Sequence, residues 1–77
     1  MPIDGEARRL ATLWHLTWND NSLTCSVYRT QDGLRLTIES PAAVILTEPF
    51  DMQPRAVARA EALRESLIRR GWSARDL

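Results

Sequence analysis

The strongest constraint on the fold is an alternation of apolar and polar residues in "SVYRTQDGLRLTIES", residues 26–40. Successive side chains of a β-strand point to opposite faces, so a period of two predicts a strand with one apolar and one polar face. Gly33 follows Asp32 between two such runs and can adopt positive φ without steric cost, as a tight turn requires. The segment therefore predicts a β-hairpin with one buried face.

The same alternation extends to both sides of this hairpin. It predicts strand one from Leu10 to Trp18, a turn at "NDNS" (residues 19–22), strand two from Leu23 to Thr30, and strand three from Leu34 to Ser40. A fourth, short strand is predicted over Ala43–Pro49, bracketed by prolines as edge strands often are. The predicted buried positions are Trp14, Leu16, Trp18, Leu23, Cys25, Val27, Leu34, Leu36 and Ile38.

The last element is a helix between Asp51 and Gly71. Asp51 is a candidate N-cap, Pro54 suits a first turn, and Gly71 suits the left-handed position after a C-terminus. Trp72 is expected to fold back on the last turn. The residues at helical spacing that are predicted to face the sheet are Ala56, Val57, Ala60, Leu63, Leu67 and Ile68.

These elements define one small α+β domain. A chain of 77 residues has too little core to divide, and a helix of about 17 residues is long enough to cover one face of the sheet. The expected architecture is a three- to four-stranded antiparallel meander with one C-terminal helix packed on one face. Residues 1–9 are expected to be a flexible lead-in, and residues 10–77 the domain.

Composition excludes several classes of function. Ten arginines, with no lysine, balance ten acidic residues, so no net charge attracts nucleic acid or an anionic membrane. Neither a signal peptide nor an apolar run long enough to span a bilayer is present, and one cysteine cannot form an internal disulfide. The sequence therefore predicts a cytoplasmic protein that has no contact with a membrane.

Candidate chemistry is sparse. His15, the only histidine, is predicted on the outward face, and Cys25, the only cysteine, on the inward face, so a Cys–His pair is not expected. One histidine and one cysteine cannot supply a zinc site, and three isolated glycines cannot form a phosphate loop. The sequence predicts no catalytic residue, no metal and no cofactor. Trp14 and Trp18 could form a stacking platform, but their phase with Leu16 favours the core.

The uncovered face of the sheet, here called the open face, is the feature that core packing does not explain. It is expected to be neutral and rich in hydroxyls, with Leu13 as its one large aliphatic residue. Plain solvent exposure is one interpretation, and a docking surface is the other. The candidate interaction surface comprises His15, Thr24, Ser26, Tyr28, Arg35, Thr37 and Glu39.

Two resemblances accompany this pattern. "LWHLTW" and "ARAEALRESLIRRGW" resemble small uncharacterised bacterial proteins built as an antiparallel sheet with one C-terminal helix ending in Gly-Trp, which implies the fold and no activity. The order of elements is also similar to AP2-type and integrase arm-type DNA-binding domains, which present the uncovered sheet face to the major groove. The open face here carries Arg35 and Tyr28 but also Glu39 and four threonines, which departs from that pattern.

Three hypotheses follow. The first is a non-enzymatic protein-interaction module, a homodimer or an adaptor, that uses the open face or an edge strand. The second is a weak nucleic-acid-binding domain that uses Arg29, Arg35 and Tyr28, or the arginines of the helix. An enzyme or small-ligand protein ranks last, because convergent polar groups are lacking.

Overall fold

The computed structural model describes residues 8–74 and confirms an α+β fold in which one helix packs on an antiparallel sheet. The sheet has the strand order β4-β3-β2-β1-β5. The elements are β1 (Arg8–Trp18), β2 (Asn21–Thr30), β3 (Gly33–Glu39), β4 (Val44–Phe50), α1 (Gln53–Arg69) and β5 (Ser73–Ala74). The fourth strand, predicted over Ala43–Pro49, is present, and β5 was not predicted.

Strand β1 begins inside the predicted lead-in. Arg8 and Arg9 pair with Arg29 and Tyr28 of β2, so these two residues belong to the sheet. The rest of the predicted lead-in, residues 1–7, lies outside the described residues, as do residues 75–77 of the predicted domain.

The turns follow the local chemistry of the sequence. Asn19 adopts φ 56° between β1 and β2, and Gly33 adopts φ 134° at the start of β3, both at positions that larger side chains rarely accept. Between β3 and β4, the Ser40 N–H donates to the Ala43 carbonyl at 2.8 Å. Each connection is short, so sequential strands become neighbours in the sheet.

Two bulges interrupt β1. The register with β2 shifts between Arg9 and Ala11 and again between Thr12 and Trp14, so Leu10 and Leu13 are extra residues. Leu13 packs against the core cluster, and its predicted place on the open face is wrong. The bulge adds one residue to β1. Counting a strict alternation through this extra residue therefore assigns the Leu13 side chain to the wrong face of the sheet.

The core lies between the sheet and α1. Buried side chains from β1, β2 and β3 meet two helix alanines, Ala56 and Ala60, whose small size lets the helix approach the sheet closely. Trp14 fixes this approach, because its Nε1 donates to the Ala60 carbonyl at 2.8 Å in a buried position. Ile68, predicted to fill the core, is 37% exposed and lies at the edge of the core.

The ends of α1 differ in how far they match the predictions. The N-cap is Met52, whose carbonyl accepts from the N–H groups of Arg55 and Ala56, and no side chain caps this end. The prediction of Asp51 as the N-cap is therefore wrong, because Asp51 lies one residue before the residue whose carbonyl accepts the first helical hydrogen bonds. At the other end Gly71 has φ 115°, and the Trp72 N–H returns to the Leu67 carbonyl, as in a Schellman stop.

The chain after the helix returns to β1. Ser73 and Ala74 pair with Thr17 and Leu16, and this brings Trp72 against Trp18 with ring centroids 5.8 Å apart and a tilt of 52°. Trp18 is 47% exposed, so its predicted place under the helix is wrong. It lies at the end of β1 next to Gly71, where the helix has already ended.

Candidate functional site

The seven residues of the predicted interaction surface lie on the open face. The register places Thr24 between His15 and Glu39 in one row across the sheet. Ser26 pairs with Thr37 in the next row, and Tyr28 pairs with Arg35 in the row after that. Strand pairing therefore brings the seven residues together on one side of the sheet.

The centre of this face is covered by the protein's own side chains. The Tyr28 hydroxyl donates to Glu39 Oε2 at 3.3 Å, although their two rows lie on either side of the row that contains Ser26 and Thr37. The Tyr28 and Glu39 side chains must therefore lie flat over that middle row. Ser26 and Thr37 are only 2% and 6% exposed, so these two predicted surface residues cannot contact a partner while the cover is in place.

Arg9 completes this cover. Its Nη2 donates to the Tyr28 hydroxyl at 3.4 Å, and its guanidinium carbon lies 5.8 Å from the centroid of the Tyr28 ring, a cation–π distance. The hydrogen bond to Tyr28 raises the pKa of Arg9 above its ordinary value. We call Arg9, Tyr28 and Glu39 the Tyr28 cover. Sequence reasoning missed Arg9, because the bulge at Leu10 ends the regular alternation before the strand does.

The rest of the open face is polar and shallow. His15 Nδ1 lies 2.8 Å from Thr24 Oγ1, so these two side chains are hydrogen-bonded to each other. A depression of about 400 Å³ borders this pair. Its lining residues are Arg9, His15, Ser22, Thr24, Glu39, Ser40 and Pro41.

The residues that could carry chemistry or bind nucleic acid are separated. Cys25 faces the core, where burial raises the pKa of its thiol to about 12, while His15 lies on the open face. Arg29 is in register with Leu34, on the opposite side of the sheet from Tyr28 and Arg35. Within residues 8–74, no group of three or more histidine, cysteine or acidic side chains could hold a metal ion.

A second candidate surface runs along β4. In the part of the chain that the structure describes, β4 pairs with β3 on one side, and no strand pairs with its outer side, which we call the β4 edge. Val44 and Ile45 are 59% and 60% exposed there. The register with β3 shifts between Leu46 and Val44, which makes Ile45 an extra residue.

An apolar groove lies beside this edge, between β4 and the second half of α1. It has a volume of about 300 Å³. Six aliphatic residues from four elements line it, with Ser66 and Arg70 at its rim; we call this set the apolar groove: Leu23, Ile38, Ile45, Leu46, Leu63 and Leu67. Ala56 and Ala60 let the first half of the helix approach the sheet closely. Under the second half, Leu63 and Leu67 do not fill the space beside β4, and the groove remains.

An ion pair holds the helix against β4 next to the groove. Arg59 donates from Nε to Glu48 Oε1 at 3.0 Å and from Nη2 to Glu48 Oε2 at 3.1 Å, a two-bond arrangement. The hydrogen bond from Arg59 lowers the pKa of the Glu48 carboxyl and raises the pKa of the guanidinium. Glu48, the one charged residue of β4, is thereby neutralised within the chain.

Comparison with known proteins found no matching family model, no matching curated protein and no matching solved structure. The resemblances to small bacterial proteins and to DNA-binding domains with a similar order of elements therefore stay predictions. None of the described helices is long and apolar enough to cross a membrane.

Proposed function

We propose that the protein is a non-enzymatic protein-interaction module that associates with a second copy of itself through the β4 edge and the apolar groove. One observation carries this proposal: the most exposed aliphatic residue of the groove, Ile45, stands on a strand edge that no described strand covers. An open edge offers backbone hydrogen bonds, and an apolar surface beside it offers burial.

Both contributions favour association. Fully burying an exposed isoleucine side chain stabilises a contact by about 1.5–3 kcal/mol, and Ile45 is the exposed member of the groove, whose other residues are already buried or half-buried. The ion pair between Glu48 and Arg59 removes the one charge on β4 that could repel the same strand of a second molecule. A strand with a neutralised charge can therefore approach its own copy.

The open face and the β1 side are less suited to binding a partner than the β4 edge. On the open face, the Tyr28 cover already uses the polar groups of three long side chains, and a partner would have to replace these contacts. The outer side of β1 is partly occupied by β5, which pairs with Leu16 and Thr17, and β1 begins with Arg8 and Arg9, charged residues of a kind that discourages strand addition. The β4 side is thus the surface best suited to a partner.

Sedimentation velocity over a concentration series tests the proposal. The parent protein is expected to form a dimer, and Ile45→Glu is expected to weaken that dimer at least tenfold while leaving the far-ultraviolet circular dichroism spectrum unchanged. Leu10→Glu is the matched control, because Leu10 is an exposed aliphatic residue of β1, on the far side of the sheet from β4 and outside the segment of β1 that pairs with β5.

A parent protein that stays monomeric at the highest concentration reached would contradict the proposal. So would a dimer that Leu10→Glu dissociates and Ile45→Glu does not, since the interface would then lie at β1.

A further inference from the structure

Pro49 shows which residues of β4 direct their N–H and carbonyl groups away from β3. Residue pairs in an antiparallel ladder alternate between hydrogen-bonded and non-hydrogen-bonded pairs. Pro49 pairs with Arg35 and has no N–H, so it fits the non-hydrogen-bonded position, with its backbone polar side turned outward. Thr47 pairs with Thr37 two residues away, and its N–H and carbonyl therefore also face outward.

The hairpin between β2 and β3 gives the same phase independently. Thr30 faces Gly33 across a two-residue connection, and such a turn is closed by a hydrogen bond from the Gly33 N–H to the Thr30 carbonyl. Backbone groups of every second residue in a strand point to the same side. Arg35, two residues after Gly33, therefore also directs its N–H and carbonyl towards β2, where it pairs with Tyr28. Arg35 therefore makes no ladder hydrogen bond to Pro49, in agreement with the missing N–H.

Thr47 is the best centre for strand pairing on this edge. Ile45 is the extra residue of a bulge, where regular pairing is disrupted, and Pro49 lacks a donor. Thr47, between them, has both an outward N–H and regular geometry, and its side chain is exposed. A self-pairing of β4 centred at either neighbour would lose hydrogen bonds.

We infer that two copies join their β4 edges antiparallel about a twofold axis that passes between the two Thr47 residues. This inference rests on the proposed function and adds the register. The two Thr47 residues exchange N–H to carbonyl hydrogen bonds, and the outward Pro49 carbonyl of each copy points towards the β4 strand of the other. Pro49 thus serves as an acceptor where it cannot donate.

The twofold axis stands perpendicular to the joined sheet, because this is the symmetry of an antiparallel pair. Both helices then lie on the same face. The two apolar grooves, each beside its own β4, open towards each other across the junction. Ile45, Leu46, Leu63 and Leu67 of both copies then lie on one face of the junction, where Glu48 of each copy, paired with its own Arg59, falls in the row of Leu46 of the other, and the exposed surface of Ile45 is reduced.

Charge on the open face supports the same register. Arg35 lies in the row of Pro49, and Glu39 lies in the row of Val44. When Pro49 of one copy meets Ile45 of the other, Arg35 of the first copy and Glu39 of the second fall in nearly the same row, separated by the two β4 strands. Opposite charges are therefore in register twice across the axis, but three strand spacings of about 4.8 Å separate them by about 14 Å, so they favour this register only weakly, and mainly at low ionic strength.

Site-directed disulfide formation tests the register. In Thr47→Cys the two Cα atoms should be about 5.5 Å apart, which suits a disulfide, and mild oxidation is expected to yield a covalent dimer. Pro49→Cys is the matched control, since its copies should lie about 14 Å apart, four residues out of register. The native Cys25 is buried and does not compete.

A second variant removes the central donor. Thr47→Pro is expected to weaken self-association at least tenfold with an unchanged unfolding midpoint, because the Thr47 N–H makes no bond to β3. A dimer in solution that cross-links at position 49 and not at position 47, or that Thr47→Pro leaves intact, would overturn the register and leave the proposed function standing. A parent protein that is monomeric throughout would overturn both.

Discussion

Trp14 and Ala60 are joined by a buried hydrogen bond of 2.8 Å from the indole Nε1 to the helix carbonyl. This bond links the sheet to the middle of α1 at Ala60, a small buried residue that allows the two backbones to approach closely. A buried tryptophan needs a partner for its N–H, and a helix carbonyl within reach supplies it. The position of the helix over the sheet therefore depends on this pair.

Replacing Trp14 by phenylalanine tests this role. The variant keeps an aromatic ring but removes the donor and part of the packed volume, and we expect a loss of about 1–3 kcal/mol in the free energy of unfolding. Urea denaturation followed by far-ultraviolet circular dichroism measures it. Trp18→Phe is the control. Because Trp18 is half exposed, this substitution should lower the free energy of unfolding clearly less than Trp14→Phe does. Equal losses would contradict the assignment.

The two glycines with positive φ should differ in their tolerance of alanine. A Cβ at Gly33 would lie 3.1 Å from the Phe50 carbonyl oxygen, whereas a Cβ at Gly71 would lie 3.7 Å from Trp18 Nε1. Both substitutions place alanine in a strained backbone conformation, at a cost of about 1 kcal/mol or more. Gly33→Ala adds a close contact with backbone. Gly33→Ala should therefore have a lower melting temperature than Gly71→Ala. The reverse order would contradict the close contact at Gly33.

Most of the fold could be predicted from the sequence, because period-two alternation and turn residues act locally. The errors arose where a nonlocal fact decided the outcome. The bulge at Leu13 reversed one side chain, and β5 was too short to carry a pattern. Trp18 matched the phase of Leu16, yet its burial depended on where the helix ends above it. No periodicity contains that information.

Cys25 should be nearly inert in the native protein. Burial raises the pKa of its thiol from an ordinary value of 9.0 to about 12, so at pH 8 almost no thiolate is present, and no reagent can reach it without opening of the sheet. We expect a thiol-reactive dye to label the native protein at least a hundredfold more slowly than the same protein in 8 M urea. Comparable rates would show that the core around Cys25 opens readily.

The Glu48–Arg59 ion pair should make stability depend on pH in acid. Because Arg59 lowers the folded-state pKa of Glu48 below its ordinary value of 4.5, the pair stabilises the protein above that value and loses its effect as pH falls through the folded pKa. Glu48→Gln should therefore lower the melting temperature slightly at pH 7, with a difference that shrinks as pH falls below 4.5 and vanishes once pH is below the folded pKa of Glu48. Glu65→Gln, on the exposed side of the helix, is the control and should show no such convergence.

The candidate surfaces were less predictable than the fold. The open face could be assigned from alternation, but its cover could not, because Arg9 preceded the regular pattern and Tyr28 reaches along the sheet to a residue in a distant row. The apolar groove required the position of the helix. Four consecutive apolar residues, from Ala43 to Leu46, concealed which of them would be left exposed, and the bulge that exposes Ile45 has no signal in a single sequence.

The Tyr28 cover has a consequence for the shape of any assembly. With Tyr28 hydrogen-bonded to Arg9 and Glu39, a second sheet stacked on the open face would meet these three side chains and not the hydroxyls of Ser26 and Thr37 beneath them. On the β1 side, β5 pairs with Leu16 and Thr17, and the dimer proposed above uses the β4 edge instead. In that proposed dimer each molecule uses its β4 edge once about a twofold axis, so the assembly closes at two molecules, and the covered hydroxyls of the open face offer no further polar contact for a filament.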